Sequence, residues 1–159
     1  MSTLPFHADM FARLLVAAAL GAFIGYERER GGKVAGVRTH GMVALGAALF
    51  TVVSVYGFEG PGDRARVAAQ VVTGIGFLGA GAILHLRDGI QGLTTAASLW
   101  VTAAIGVSVG VGMVLMSVET AVLVFLLLRF GPRVRPRQGG SPTPGDSSDP
   151  ADGSLPSSH

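Results

Sequence analysis

The chain has 159 residues, 49% hydrophobic and 14% charged, with a formal net charge of +2; average soluble domains carry roughly 25% charged residues. It has no cysteine, which excludes disulfides and thiolate metal sites. The apolar excess falls in long runs, so a membrane protein is expected and a nucleic-acid partner is not.

The N-terminal MSTLPFHADMFAR lacks the basic region and cleavage pattern of a secretory signal and reads as a lead-in to a retained helix over Met10–Tyr26. Gly21 and Gly25 in that segment stand four residues apart, a spacing that lets membrane helices approach closely or a chain dimerise. The following loop, YERERGGKVAGVRTH, holds Arg28, Arg30, Lys33 and Arg38 with Glu27 and Glu29. The plain reading is a topology anchor with local Glu–Arg pairing that can meet anionic lipid head groups. The sharper one gathers Glu27, Arg28, Arg38, Thr39 and His40 into an inward-facing polar site at the base of the bundle. A second apolar segment follows over Gly41–Tyr56.

In the third segment, Val67–Leu86, the stretch VVTGIGFLGAGAIL contains G-x-G-x-x-G at Gly74, Gly76 and Gly79. As a dinucleotide fingerprint it would need a preceding strand and an acidic residue about 20 positions on, and the chain offers TTAASLW there. A transmembrane helix without Asp, Glu, Lys or Arg is expected instead, with glycines as packing surface: Gly74 and Gly81 on one face, Gly76, Ala80 and Leu84 on another. Gln70 is a polar group near its outer end.

Leu93 to Phe130 is an apolar run of 38 residues, close to twice one crossing of about 20. Gly106, Gly110 and Gly112 allow a tight reversal, dividing it into Leu93–Val107 and Val111–Phe130. Thr94, Thr95 and Ser98 fall partly on one face, where hydroxyls bond a neighbouring helix or their own carbonyls. Trp100 lies two turns in, which points to burial against the third helix. Glu119 is the only acidic residue deep in an apolar run, a position that by default marks function or a partnered group.

The reading is an all-α bundle of about five transmembrane helices over residues 1–131. Beyond it a Pro/Ser/Gly/Asp-rich segment, 132–159, is expected to be a disordered cytoplasmic tail. With five spans, nine of the twelve Lys and Arg residues share one side. Positive loops stay in the cytoplasm, so the N-terminus is placed outside and the C-terminus inside. The four histidines show no metal-ligand spacing. Glu27, Glu29 and Asp88 would share the basic side, and magnesium prefers hard oxygen ligands, a weak signal for a cation site. No catalytic constellation and no cofactor are expected.

Three strings, IGYERERGGKVAGVRTHGMVALGAAL, QVVTGIGFLGAGAIL and GLTTAASLWVTAAIGVSVGVG, resemble in order the membrane domain of the MgtC/SapB family. The resemblance implies a multi-pass bacterial inner-membrane protein linked to growth at low magnesium or stress adaptation, acting as a non-enzymatic regulator of other membrane machines, notably ATP synthase. Its motif positions here are Glu27, Arg28, Gly36, Arg38 and Thr39, then Gln70, Gly74, Gly76, Phe77, Gly79, Ala80 and Gly81. The third string adds Gly92, Leu93, Thr94, Thr95, Ala96, Ala97 and Trp100. Some relatives carry Asn where Thr94 stands, and the virulence members continue into a folded cytoplasmic domain where this sequence has a low-complexity segment. The alternatives are a divalent-cation transporter or channel using Glu119, Gln70 and the polar fourth helix, and a scaffold whose motifs serve only its own packing. Expected partners are membrane lipid, ATP synthase or another membrane protein, and a second copy of the chain.

Overall fold

The structure is a computed structural model and describes residues 4–58, 66–86 and 89–131. Five helices appear in it: α1 Leu4–Arg30, α2 Val37–Tyr56, α3 Arg66–Gly81, α4 Leu93–Gly110 and α5 Val114–Phe130. By length and composition α1, α2 and α4 can each cross a membrane. Helices α3 and α5, of 16 and 17 residues, rise about 24 and 26 Å at 1.5 Å per residue. The tail beyond residue 131 lies outside the described residues.

Helix α1 starts six residues before the expected Met10, and Asp9 in the added stretch pairs with Arg13 one turn on at 2.8 Å. It stops where Gly31 and Gly32 donate to the carbonyls of Glu27 and Glu29, Gly32 taking φ +66. The Glu29 carboxylate then accepts from the Val37 N–H at 2.9 Å, so the end of α1 caps the start of α2. The reversal read from the glycines falls at residues 111–113, with Gly112 at φ +98.

The third segment differs from expectation. Its helix ends at Gly81, and Leu84–Leu86 pair antiparallel with Gly89–Gln91 as a short hairpin, strands β1 and β2. Two causes combine. Glycine weakens a helix by about 1 kcal/mol against alanine, and Gly79 and Gly81 crowd the last turn. Gly92, at φ +92, also brings the chain so close to the Ala82 carbonyl that a Cβ would collide with it. Leu84 therefore cannot extend the line from Gly76 and Ala80. Arg87 and Asp88 lie outside the described residues.

The core is built from small residues. Ala17, Ile24, Ala44, Ala48, Ile105, Val109 and Ala121 form one buried cluster joining α1, α2, α4 and α5. A second, of Ala47, Ile75 and Ala103, attaches α3. Close approach is written in four glycines. A Cβ on Gly21 would stand 2.8 Å from Ala44 Cβ, and one on Gly25 2.6 Å from the Gly36 carbonyl oxygen. One on Gly110 would be 2.7 Å from Thr51 Cβ, and one on Gly106 would run into the Ala44 carbonyl. Large side chains such as Phe11, Leu15, Leu123 and Leu127 point outward, the inverse of a water-soluble bundle and the surface that lipid requires.

Candidate functional site

At the Arg-rich end, α1, α2 and α4 enclose a polar cluster. Arg28 is 6% exposed and donates from a terminal nitrogen to Thr95 Oγ at 2.7 Å. Its Nε is buried without a partner among the described residues. Fully buried His40 holds the Gly36 carbonyl through Nδ1 at 3.0 Å, which puts the ring proton on that nitrogen. Nε2 then faces Ser98 Oγ at 3.0 Å. That hydroxyl also lies 2.8 Å from the Thr95 carbonyl, so with neutral His40 one proton serves two acceptors. Thr102 continues the line by donating to the Ser98 carbonyl at 2.7 Å. Burying such groups away from water is costly unless they are bonded, and loss of one partner costs about 1–3 kcal/mol.

The expected site of Glu27, Arg28, Arg38, Thr39 and His40 is thus brought together only in part. Arg28 and His40 enter the cluster with Thr95 and Ser98. Glu27 instead faces Arg129 across α1 and α5 at 3.9 Å. Arg38 is exposed and Thr39 half-buried on the side of α3. Thr94 is exposed. The cap from Glu29 went unread in the sequence, although Gly36 beside it was a signal: a Cβ there would strike the Glu29 carboxylate.

Helix α3 is attached differently. Ile75 is its only buried residue, against nine in α4. A groove of about 570 Å³ separates it from α2, with Gln70 and Gly74 in the wall. A second of about 290 Å³ separates it from α4. Trp100 lines this second groove but remains 53% exposed, so the expected burial against α3 is incomplete. A Cβ at Gly74, Gly76 or Gly81 would meet nothing within 4 Å. At Gly79 alone among the α3 glycines would a Cβ reach the bundle, 3.7 Å from Ala96 Cβ. Turning outward are Ala69, Thr73, Gly76 and Ala80, all exposed and at helical spacing, with Phe77 83% exposed beside them.

Glu119 is exposed on α5, one and a half turns from its start, and joins neither Ser117 nor Thr120, whose hydroxyls donate to the Met113 and Met116 carbonyls at 2.8 Å. The partner that its place in the sequence predicts for Glu119 is not found among the described residues. At the same end Arg13 ties α1 to α2 and α4 by donating to Tyr56 Oη at 3.2 Å and the Gly110 carbonyl at 3.1 Å. No group of three His, Asp or Glu forms a cation site among the described residues.

The MgtC family profile matches residues 14–136. The chain is 48% identical over 128 residues to an Escherichia coli K12 protein provisionally named the magnesium transporter YhiD, covering 76% of this chain and 60% of that one. It is 44% identical over 119 residues to Protein MgtC of Salmonella typhimurium LT2, covering 73% and 51%. An uncharacterized Haemophilus influenzae protein is 41% identical over 140 residues, covering 82% and 59%. The chain thus spans about half to three fifths of the length of these relatives. No solved structure matches it.

Proposed function

The chain belongs to the MgtC family of membrane proteins, and from that premise we propose that it is a non-enzymatic regulator in the bacterial inner membrane. On this reading it acts in magnesium homeostasis or stress adaptation by binding another membrane complex, such as ATP synthase. The name of the Escherichia coli relative supplies the magnesium connection. The observation that carries the reading is the outer face of α3, where Ala69, Thr73, Gly76 and Ala80 offer a backbone-deep track beside exposed Phe77. Small residues at this spacing let a second membrane helix approach and gain dispersion contacts. The buried Arg28–Thr95 and His40–Ser98 contacts hold α1, α2 and α4 as the rigid support. The basic end is placed in the cytoplasm by the positive-inside bias.

Association is tested by affinity purification from gently solubilised membranes, comparing the wild type with Gly76→Leu. The expected result is at least a tenfold loss of a co-purifying membrane-complex subunit from folded Gly76→Leu protein. Equal recovery removes this interface. Ion transport, favoured by the name of the Escherichia coli relative, is read separately as magnesium flux in sealed proteoliposomes. Saturable flux that disappears in Glu119→Gln would replace the regulator reading with a transporter.

A further inference from the structure

The groove between α2 and α3 lies away from the outer face of α3 and has its own chemistry. Its walls include Met42, Gly46, Phe50, Val71 and Leu78, and among the described residues its polar lining is Thr39 at one end and Gln70 toward the other. From Thr39 to Phe50 is eleven residues along α2, about 16 Å at 1.5 Å per residue. That is about half of a hydrocarbon core of roughly 30 Å, the depth of one leaflet. A slot of this length, open along its side toward the surroundings, suits one extended acyl chain.

The Thr39 end adds charge. Arg38 precedes Thr39 and stands one turn before Met42 on α2. The other described basic residues at this end are committed: Arg28 to Thr95, Arg30 to the Tyr26 hydroxyl at 3.4 Å and over its ring, and Arg129 to Glu27. Of the described carboxylates at this end, Glu29 accepts from the Val37 N–H and Glu27 faces Arg129. Among the described residues the side chains of Arg38 and Lys33 make no ion pair or hydrogen bond, and both residues are exposed. A cationic mouth above a leaflet-deep apolar slot matches an anionic head group over a hydrocarbon tail.

We propose that the α2–α3 groove is a binding site for one anionic phospholipid, its acyl chain lying between Thr39 and Phe50 and its phosphate at Arg38. The groove supplies affinity and Arg38 supplies head-group preference. Gly46 and Gly74 keep opposite walls thin, and a Cβ at either meets nothing within 4 Å. Both positions therefore have room for a side chain to start into the groove.

The test is native mass spectrometry of the purified full chain incubated with phosphatidylglycerol or phosphatidylcholine. Wild type should retain one phosphatidylglycerol per chain with about fivefold preference, the effect of one basic residue at an anionic surface. Arg38→Gln should hold both lipids equally. Gly46→Leu should retain neither while melting as the wild type does, and Gly74→Leu should repeat that loss from the other wall if Gly46→Leu fails to fold. Equal retention of the two lipids by wild type, or undiminished retention by both filled variants, overturns the site. So does a covalent protein adduct formed efficiently through Met42→Cys, a clean probe in a chain with no other cysteine, because a protein helix would then occupy the groove.

Discussion

Two groups of glycines divide this molecule. In α1 and α4, Gly21, Gly25, Gly106 and Gly110 press against backbone or Cβ atoms of the α1–α2 loop and α2, leaving no room for a side chain. In α3, Gly74, Gly76 and Gly81 face open space. Both groups sit in apolar helices at small-residue spacing, yet the first has spent its packing capacity inside the chain and the second has not. A small residue brings backbones together only if an opposing helix is present, so unfilled positions mark where the fold does not supply its own partner.

The contrast can be broken hardest at Gly106→Leu, which drives a side chain into the Ala44 carbonyl and the Ala47 methyl. Detergent unfolding should show a loss of about 3 kcal/mol, at the upper end of overpacking effects. Next comes the polar support. Thr95→Val removes the acceptor of the buried Arg28 hydrogen bond and should cost about 1–3 kcal/mol in the same assay. Gly79→Ala sharpens the comparison from between the groups, since its methyl would sit 3.7 Å from Ala96. A gain of about 0.5–1 kcal/mol is expected from reduced chain entropy, measured as a higher unfolding midpoint. Smallest is Glu119→Gln at an exposed position, where stability should move by no more than about 0.5 kcal/mol.

Much of the scaffold is legible in the sequence because lipid imposes long apolar runs, and the tight turn at Gly112 follows from a run too long for one crossing. The end of α3 is not legible in the same way. Hydropathy rises equally for a buried helix and a short strand, so Ile83 to Leu86 continues the apolar run while the backbone changes from helix to hairpin. The site divides along similar lines. Arg28, Thr95, Ser98 and His40 each stand out as polar groups near an apolar segment. Their pairing joins residues 67 and 58 apart in the chain, which depends on how α1, α2 and α4 pack. Which glycines are used internally is hidden for the same reason: Gly25 and Gly76 look alike until the facing helix is placed.

The claim that α3 is the partner-binding element meets its most direct test in living cells, with a photo-crosslinking amino acid at Phe77 on α3 or, as a comparison, at Leu123 on α5. Both positions are well exposed, at 83% and 61%. The account expects one discrete adduct with a subunit of another membrane complex at Phe77, abolished by Gly76→Leu and missing at Leu123. Indistinguishable adducts at the two positions, or a Phe77 adduct indifferent to Gly76→Leu, would contradict it.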